Sequence, residues 1–150
     1  MNPTPLRPGE AEELGAFLGL CDLTVSGVDS PSVALWIVRG TAGRIVGSTG
    51  FELSSSRRDA LVRSVAVHPD FRGTGTGLKL AQFALDAATA AGAERAWLFS
   101  RRSGEFWMRL GFVRTTTDEL GGALSGTHQV DLFRETGQLE REVAWTKKLA

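Results

Sequence analysis

The sequence contains no tyrosine, against eight phenylalanines and four tryptophans. Chemistry that relies on a phenol as proton donor must therefore find another group. A single cysteine, Cys21, excludes an intrachain disulfide. With no metal-ligand spacing around it, Cys21 reads as a small buried apolar side chain. The two histidines, His68 and His128, lie far apart and outside any Cys/His cluster, so no metal site is expected. No apolar run reaches the ~18–20 residues of a membrane span. The opening MNPTPLRPGEAEE has no apolar core of a secretory leader, which predicts a cytoplasmic chain without membrane attachment.

Excess charge is absent too. Seventeen basic and seventeen acidic residues cancel, which leaves no electrostatic footprint for nucleic acid. A small anion held by a local site is not excluded by that balance. The length of 150 residues fits one domain, 1–150, with room for a real core.

What is present reads as a mixed α+β chain without repeats or linkers. Residues 1–7 suit a short first strand, its pairing limited by Pro3, Pro5 and Pro8. GEAEELGAFLGL places Leu14, Phe17 and Leu18 on one helical face. Asp22–Ser32 is rich in turn residues and reads as a loop in which Thr24, Val25 and Asp29 either line something or merely connect. VALWIVRG (33–40) and RIVGSTGFEL (44–53) form a hairpin around TAG. Ala60–Val67 is a third strand, with Leu61, Arg63, Val65 and Val67 on one face and Val62, Ser64 and Ala66 on the other. A helix Gly77–Ala91 follows, its inward stripe Leu78, Ala81, Leu85 and Ala88, and then a strand Glu94–Ser100. Strand, helix and strand of these lengths make the two strands parallel. Ser103 caps a short helix ended by Gly111, and Phe112 opens another strand. TTTDELGGALSGTHQ (115–129) reads as turns with little regular structure, and Leu139–Lys148 holds a final strand.

The segment HPDFRGTGTG (68–77) lies between the third strand and the helix. A helix start carries unpaired N–H groups and the positive end of the dipole, and both attract anions. Glycines let the backbone come close to a phosphate, and Arg72 adds a cation suited to phosphate oxygens. The segment is not a P-loop, since Leu78 and Lys79 stand where Lys-Ser/Thr is required. Nor is it a dinucleotide fingerprint, since its glycines are spaced GxGxG and follow three meander strands. The bland alternative is a glycine-rich turn.

Val65 to Gly77 resembles the acetyl-coenzyme A signature of the GNAT N-acetyltransferases, (Q/R)-x-x-G-x-(G/A), with Arg72, Gly75 and Gly77 at its fixed positions. Phe106-Trp107-Met108-Arg109-Leu110-Gly111-Phe112 resembles the family's second block, F-Y-x-x-x-G-F. The tail GALSGTHQVDLFRE (122–135) is similar to the small acetyltransferases encoded with arsenic-resistance genes. The resemblance implies a mixed, mostly antiparallel sheet with a central parallel pair, Ala60–Val67 and Glu94–Ser100, splayed around acetyl-coenzyme A and flanked by helices. It assigns coenzyme contacts to Val65, Ala66, Val67, Arg72, Gly73, Thr74, Gly75, Thr76, Gly77, Phe106, Trp107 and Arg109. A homodimer through the last strand is a family-level expectation.

The implied activity is N-acetylation of a small, amino-acid-like amine by direct transfer, with acetyl-coenzyme A as co-substrate and no metal. Many members carry a glutamate on the strand before the motif strand as base. Glu52 is the acidic residue in that place, and its other reading is a solvent-facing residue near a strand end. Many members also have Tyr where this chain has Trp107, and Trp is no useful acid. Ser100, Ser103 or water would replace it, or the thiolate, with a pKa of about 8–9, leaves unaided. His128 could meet substrate or act as a base, though a lone loop histidine reads first as solvated or capping. Arg101 and Arg102 suit either an anionic substrate or solvent. The competing reading is a degenerate domain that binds acyl-coenzyme A without turnover.

Overall fold

Proline at three of the first eight positions limits the first strand, β1 (Thr4–Pro5), to two residues at a sheet edge. The computed structural model describes residues 2–25 and 27–149. Met1, Ser26 and Ala150, which fall in the expected first strand, the loop and the end of the domain, lie outside the described residues. Helix α1 (Ala11–Leu20) buries Leu14, Phe17 and Leu18. The expected hairpin forms from β2 (Val33–Arg39) and β3 (Ile45–Leu53), in register from Val33 opposite Glu52 to Val38 opposite Gly47. β4 (Asp59–Val62) returns antiparallel to β3.

The third strand is not continuous to Val67. It stops at Val62 and resumes as β5 (Ala66–Val67), which pairs with Gly47 and Ser48 of β3. Between them Ser64 adopts a left-handed backbone, φ 61°. That residue breaks the two-residue alternation. Leu61 packs with Trp97, Leu120, Leu124 and Val130 on one face of the sheet, whereas Val65 packs on the other with Val62 and Trp107. The expected common face of Leu61, Arg63, Val65 and Val67 therefore does not exist.

Helix α2 (Thr76–Ala90) carries the chain to β6 (Arg95–Phe99), which lies parallel to β4 with Ala60 opposite Ala96 and Leu61 opposite Trp97. Helix α3 (Gly104–Arg109), β7 (Val113–Thr115), α4 (Thr117–Ala123), α5 (His128–Thr136) and β8 (Ala144–Lys148) complete the order. The sheet runs β1-β2-β3-β4-β6-β8-β7, with β5 attached to β3 alone. Helices α2 and α3 cover one face, and α1, α4 and α5 the other.

Two further expectations are corrected. Leu78 is half exposed, and the buried stripe of α2 is Leu80, Ala81, Ala84, Leu85 and Ala88. Ala81, Leu85 and Ala88 are buried as expected, the helix starts one residue earlier, and Leu78 in its first turn lies at the exposed mouth of the glycine turn. Residues 115–129, expected to be turns, hold α4 and the start of α5. Thr116 caps α4 by accepting the Glu119 N–H, and burial of Leu120, Leu124 and Val130 offsets a poor local propensity.

Gly50 marks the tightest point of the sheet. A Cβ there would lie 2.3 Å from the Ala34 carbonyl oxygen and 2.6 Å from Leu35 Cδ2. Gly50→Ala is expected to destabilise the fold by about 1–3 kcal/mol, read as a lowered midpoint in urea.

Candidate active site at the strand split

β4 and β6 pair only as far as Leu61 and Trp97. Beyond that point the chain of β4 swings away through the Ser64 break and continues as β5 against β3. β6 continues to Phe99 against β8. The two parallel strands thus diverge, and one edge of β5 faces the gap. Ser48 Oγ donates to the Ser64 carbonyl at 2.6 Å and fixes the break from behind.

The glycine turn stands at the wide end. Gly73 and Gly75 have φ of 82° and 80°, the left-handed region that favours glycine, with open space where a Cβ would point. Gly75 is the N-cap of α2 and supplies no side-chain cap, and the first turn contains no acidic residue. The opening N–H groups of α2 and the dipole are therefore free of a competing anion from the chain itself. Arg72 is exposed, its Nε donating to the Val67 carbonyl at 3.2 Å, which folds it over the end of β5. The Thr74 hydroxyl donates to the Phe71 carbonyl at 2.9 Å and lies 2.8 Å from the Thr76 hydroxyl. Gly77 faces Val67 and Phe106 at ordinary contact distance, so the two sequence blocks meet here. Cys21 lies against the same strand end, its Sγ 3.9 Å from the Val67 carbonyl, and burial pushes its thiol up against the opposing effect of Arg72.

Trp107 sits elsewhere. It is buried in the core under α2, edge-on to Phe106 and Phe112. Arg109 ends α3 and, with Phe106, helps line an open cavity of ≈ 600 Å³ on the outside of that helix. Ser100 Oγ accepts the Ser103 N–H at 3.1 Å and keeps its own proton available. Arg101 pairs with Glu142 at 3.5 Å.

On the opposite face Glu52 is 1% exposed, so it does not face solvent. The backbone N–H of His128, at the start of α5, donates to both carboxylate oxygens at 3.0 and 2.8 Å. Ser32 Oγ lies 3.5 Å from Oε2. Arg63, also enclosed, places Nη1 3.8 Å from Glu52 Oε1. Burial pushes the Arg63 guanidinium below its ordinary value, and the Glu52 charge opposes that shift. Glu52 is shared with the wall of an open cavity of ≈ 520 Å³ that also touches Ser32, Ser54 and Thr127.

The sequence pattern missed two parts of this cluster. One is the His128 main chain, because a backbone N–H leaves no mark in the residue pattern. The other is Arg63, whose signal was a lone charge within LVRSVAV. Among the described residues no group of three or more His, Cys, Asp or Glu could hold a metal, and no helix is long and apolar enough to cross a membrane.

Known structures share the architecture. N-acetylglutamate synthase from Neisseria gonorrhoeae, complexed with coenzyme A and N-acetyl-glutamate, superposes with a TM-score of 0.76 at 16% identity. The match covers all of this chain but 36% of that one. A GNAT-family acetyltransferase from Staphylococcus aureus Mu50 gives a TM-score of 0.77 at 13% identity over 99% of both chains. An aminoglycoside 6'-N-acetyltransferase complexed with coenzyme A gives 0.70 at 11% identity, over 100% of this chain and 98% of that one. No curated protein matches the chain in sequence. The model of the acetyltransferase (GNAT) family matches residues 7–112, which span both motif blocks and the split between the parallel strands, and the chain belongs to that family.

Proposed function

We propose that residues 1–150 act as one acetyl-coenzyme A-dependent N-acetyltransferase domain for a small-molecule amine. The observation that carries this reading is the uncapped start of α2 behind two left-handed glycines, at the mouth of a split parallel strand pair. Bound coenzyme A in structural neighbours supports it. In this reading the N–H groups from Gly73 to Gly77 and the Arg72 guanidinium hold the pyrophosphate. Val65, Ala66 and Val67 offer the open edge of β5 to the pantetheine arm, as to an added strand. Phe106 flanks the coenzyme beside Gly77, Trp107 supports it from the core, and Arg109 reaches the coenzyme from the cavity along α3. The bound thioester supplies the acetyl group.

Glu52 takes the proton from the acceptor's ammonium, directly or through water, while the His128 N–H holds its carboxylate in place. No tyrosine is present to protonate the departing thiolate. The Ser100 hydroxyl or water serves, and a thiol of pKa about 8–9 needs little help.

The test is release of free thiol from acetyl-coenzyme A with a panel of primary amines. Amine-dependent release supports catalysis. Tight coenzyme binding with no release across the panel would leave a binding module. Arg72→Ala is expected to weaken acetyl-coenzyme A binding by about 1.5–3 kcal/mol, the scale of a hydrogen bond to a charged group. Calorimetry checks it, and unchanged affinity would place the pyrophosphate elsewhere.

A further inference from the structure

Two buried charges lie side by side on the α5 face, and they are unequally satisfied. Both Glu52 oxygens accept the His128 N–H. Arg63, with a side chain 1% exposed, uses only Nε, which donates to Ser64 Oγ at 3.3 Å. Its Nη1 and Nη2 donate to no protein atom among the described residues. The 3.8 Å to Glu52 is beyond hydrogen-bond reach. A purely structural pair would close, as Arg39 does on the surface, where its nitrogens meet Glu10 and Glu13 at 2.7–2.8 Å. Native proteins rarely leave enclosed donors without acceptors, and such groups point to function.

A guanidinium fork fits a carboxylate through two parallel N–H bonds. Here the enclosed, unpartnered fork stands next to a carboxylate that borders an open cavity and whose oxygens can receive an ammonium. The pair is thus complementary to a small zwitterion that carries both groups on adjacent atoms. Its position suits that role, because Arg63, two residues after Leu61 on the same face of the sheet, directly precedes the Ser64 break at which the strands separate.

We propose that Arg63 receives the carboxylate of the acceptor while Glu52 faces its ammonium, so that the acceptors are free α-amino acids. This rests on the reading of Glu52 as the group that meets the acceptor amine. Amines without the carboxylate leave the buried fork unmatched, and a site built to hydrogen-bond a group discriminates strongly against analogues that lack it.

The experiment compares the twenty proteinogenic L-amino acids with their α-amides and decarboxylated amines. It uses thiol release, and calorimetry on protein saturated with coenzyme A. The wild type is expected to prefer at least one free acid over its amide by about 100-fold or more in kcat/KM. Arg63→Lys keeps the buried charge but loses the fork, and should bring that ratio to within about 3-fold of unity, chiefly through KM. Equal use of acid and amide by the wild type overturns the inference, as does a preference that survives Arg63→Lys. Failure of every amino acid to bind or react overturns it as well. Acetyl-coenzyme A binding, titrated without acceptor, separates that result from collapse of the proposed function, which would fall only if the coenzyme also failed to bind.

Discussion

Glu52→Gln is expected to lower kcat by about 10²–10⁴-fold, the usual contribution of a positioned proton acceptor, with acetyl-coenzyme A affinity unchanged. Glutamine keeps an acceptor for the His128 N–H but cannot take a proton at neutral pH. It also leaves the Arg63 guanidinium without its neighbouring charge in an enclosed site. Breaking a buried pair by removing one partner costs about 3–5 kcal/mol, with the low end expected here for a contact as long as 3.8 Å. The double variant Glu52→Gln, Arg63→Met removes both charges and should regain much of that stability without regaining activity. Urea unfolding and single-turnover kinetics on the four proteins of this cycle separate the two effects. Full activity in Glu52→Gln would remove Glu52 from the chemistry.

Trp107→Ala should act on the fold instead. Trp107 is 8% exposed and packs with Val62, Ala84, Leu98, Phe112 and Trp145 beneath α2. Truncation leaves a large cavity, and a loss of about 3–5 kcal/mol in unfolding free energy is expected. Trp107→Phe conserves most of the apolar volume and should keep both stability and turnover within a small factor. If Trp107→Phe abolished turnover while leaving stability intact, the indole would be part of the chemistry, and the assignment of thiolate protonation to Ser100 or water would fall.

Much of this frame was legible in the residues. VALWIVR and RIVGSTGFEL are runs rich in strand-forming residues on either side of the TAG turn, and their hairpin forms in the expected place. HPDFRGTGTG marked the strand-to-helix junction, because only glycine adopts φ near 80° without strain, as Gly73 and Gly75 do. The break at Ser64 was not legible. LVRSVAV reads as one unbroken strand, and nothing local shows that one serine turns left-handed; long-range pairing of Ala66 and Val67 with β3 decides it. For the same reason Arg63 looked like an ordinary strand residue. α4 was hidden by its Gly and Thr content, which lowers helix propensity, and the start of α5 by the Ser125-Gly126-Thr127 run before it, while burial of Leu120, Leu124 and Val130 decides the outcome. Glu52 could be placed on the right strand from sequence, but its enclosure by Ser32, Arg63 and the His128 main chain depends on three distant segments meeting.

The central claim is that the split between β4 and β6, closed by the glycine turn, is an acetyl-coenzyme A site. Thermal unfolding of the protein with and without acetyl-coenzyme A, and with coenzyme A in parallel, tests it most directly. A ligand at a hundred times its dissociation constant stabilises the native state by about 2.7 kcal/mol, a shift in Tm of several degrees. The account predicts a rise with both ligands that is sharply reduced in Arg72→Ala. No rise with either ligand, in protein that unfolds cooperatively, would contradict it.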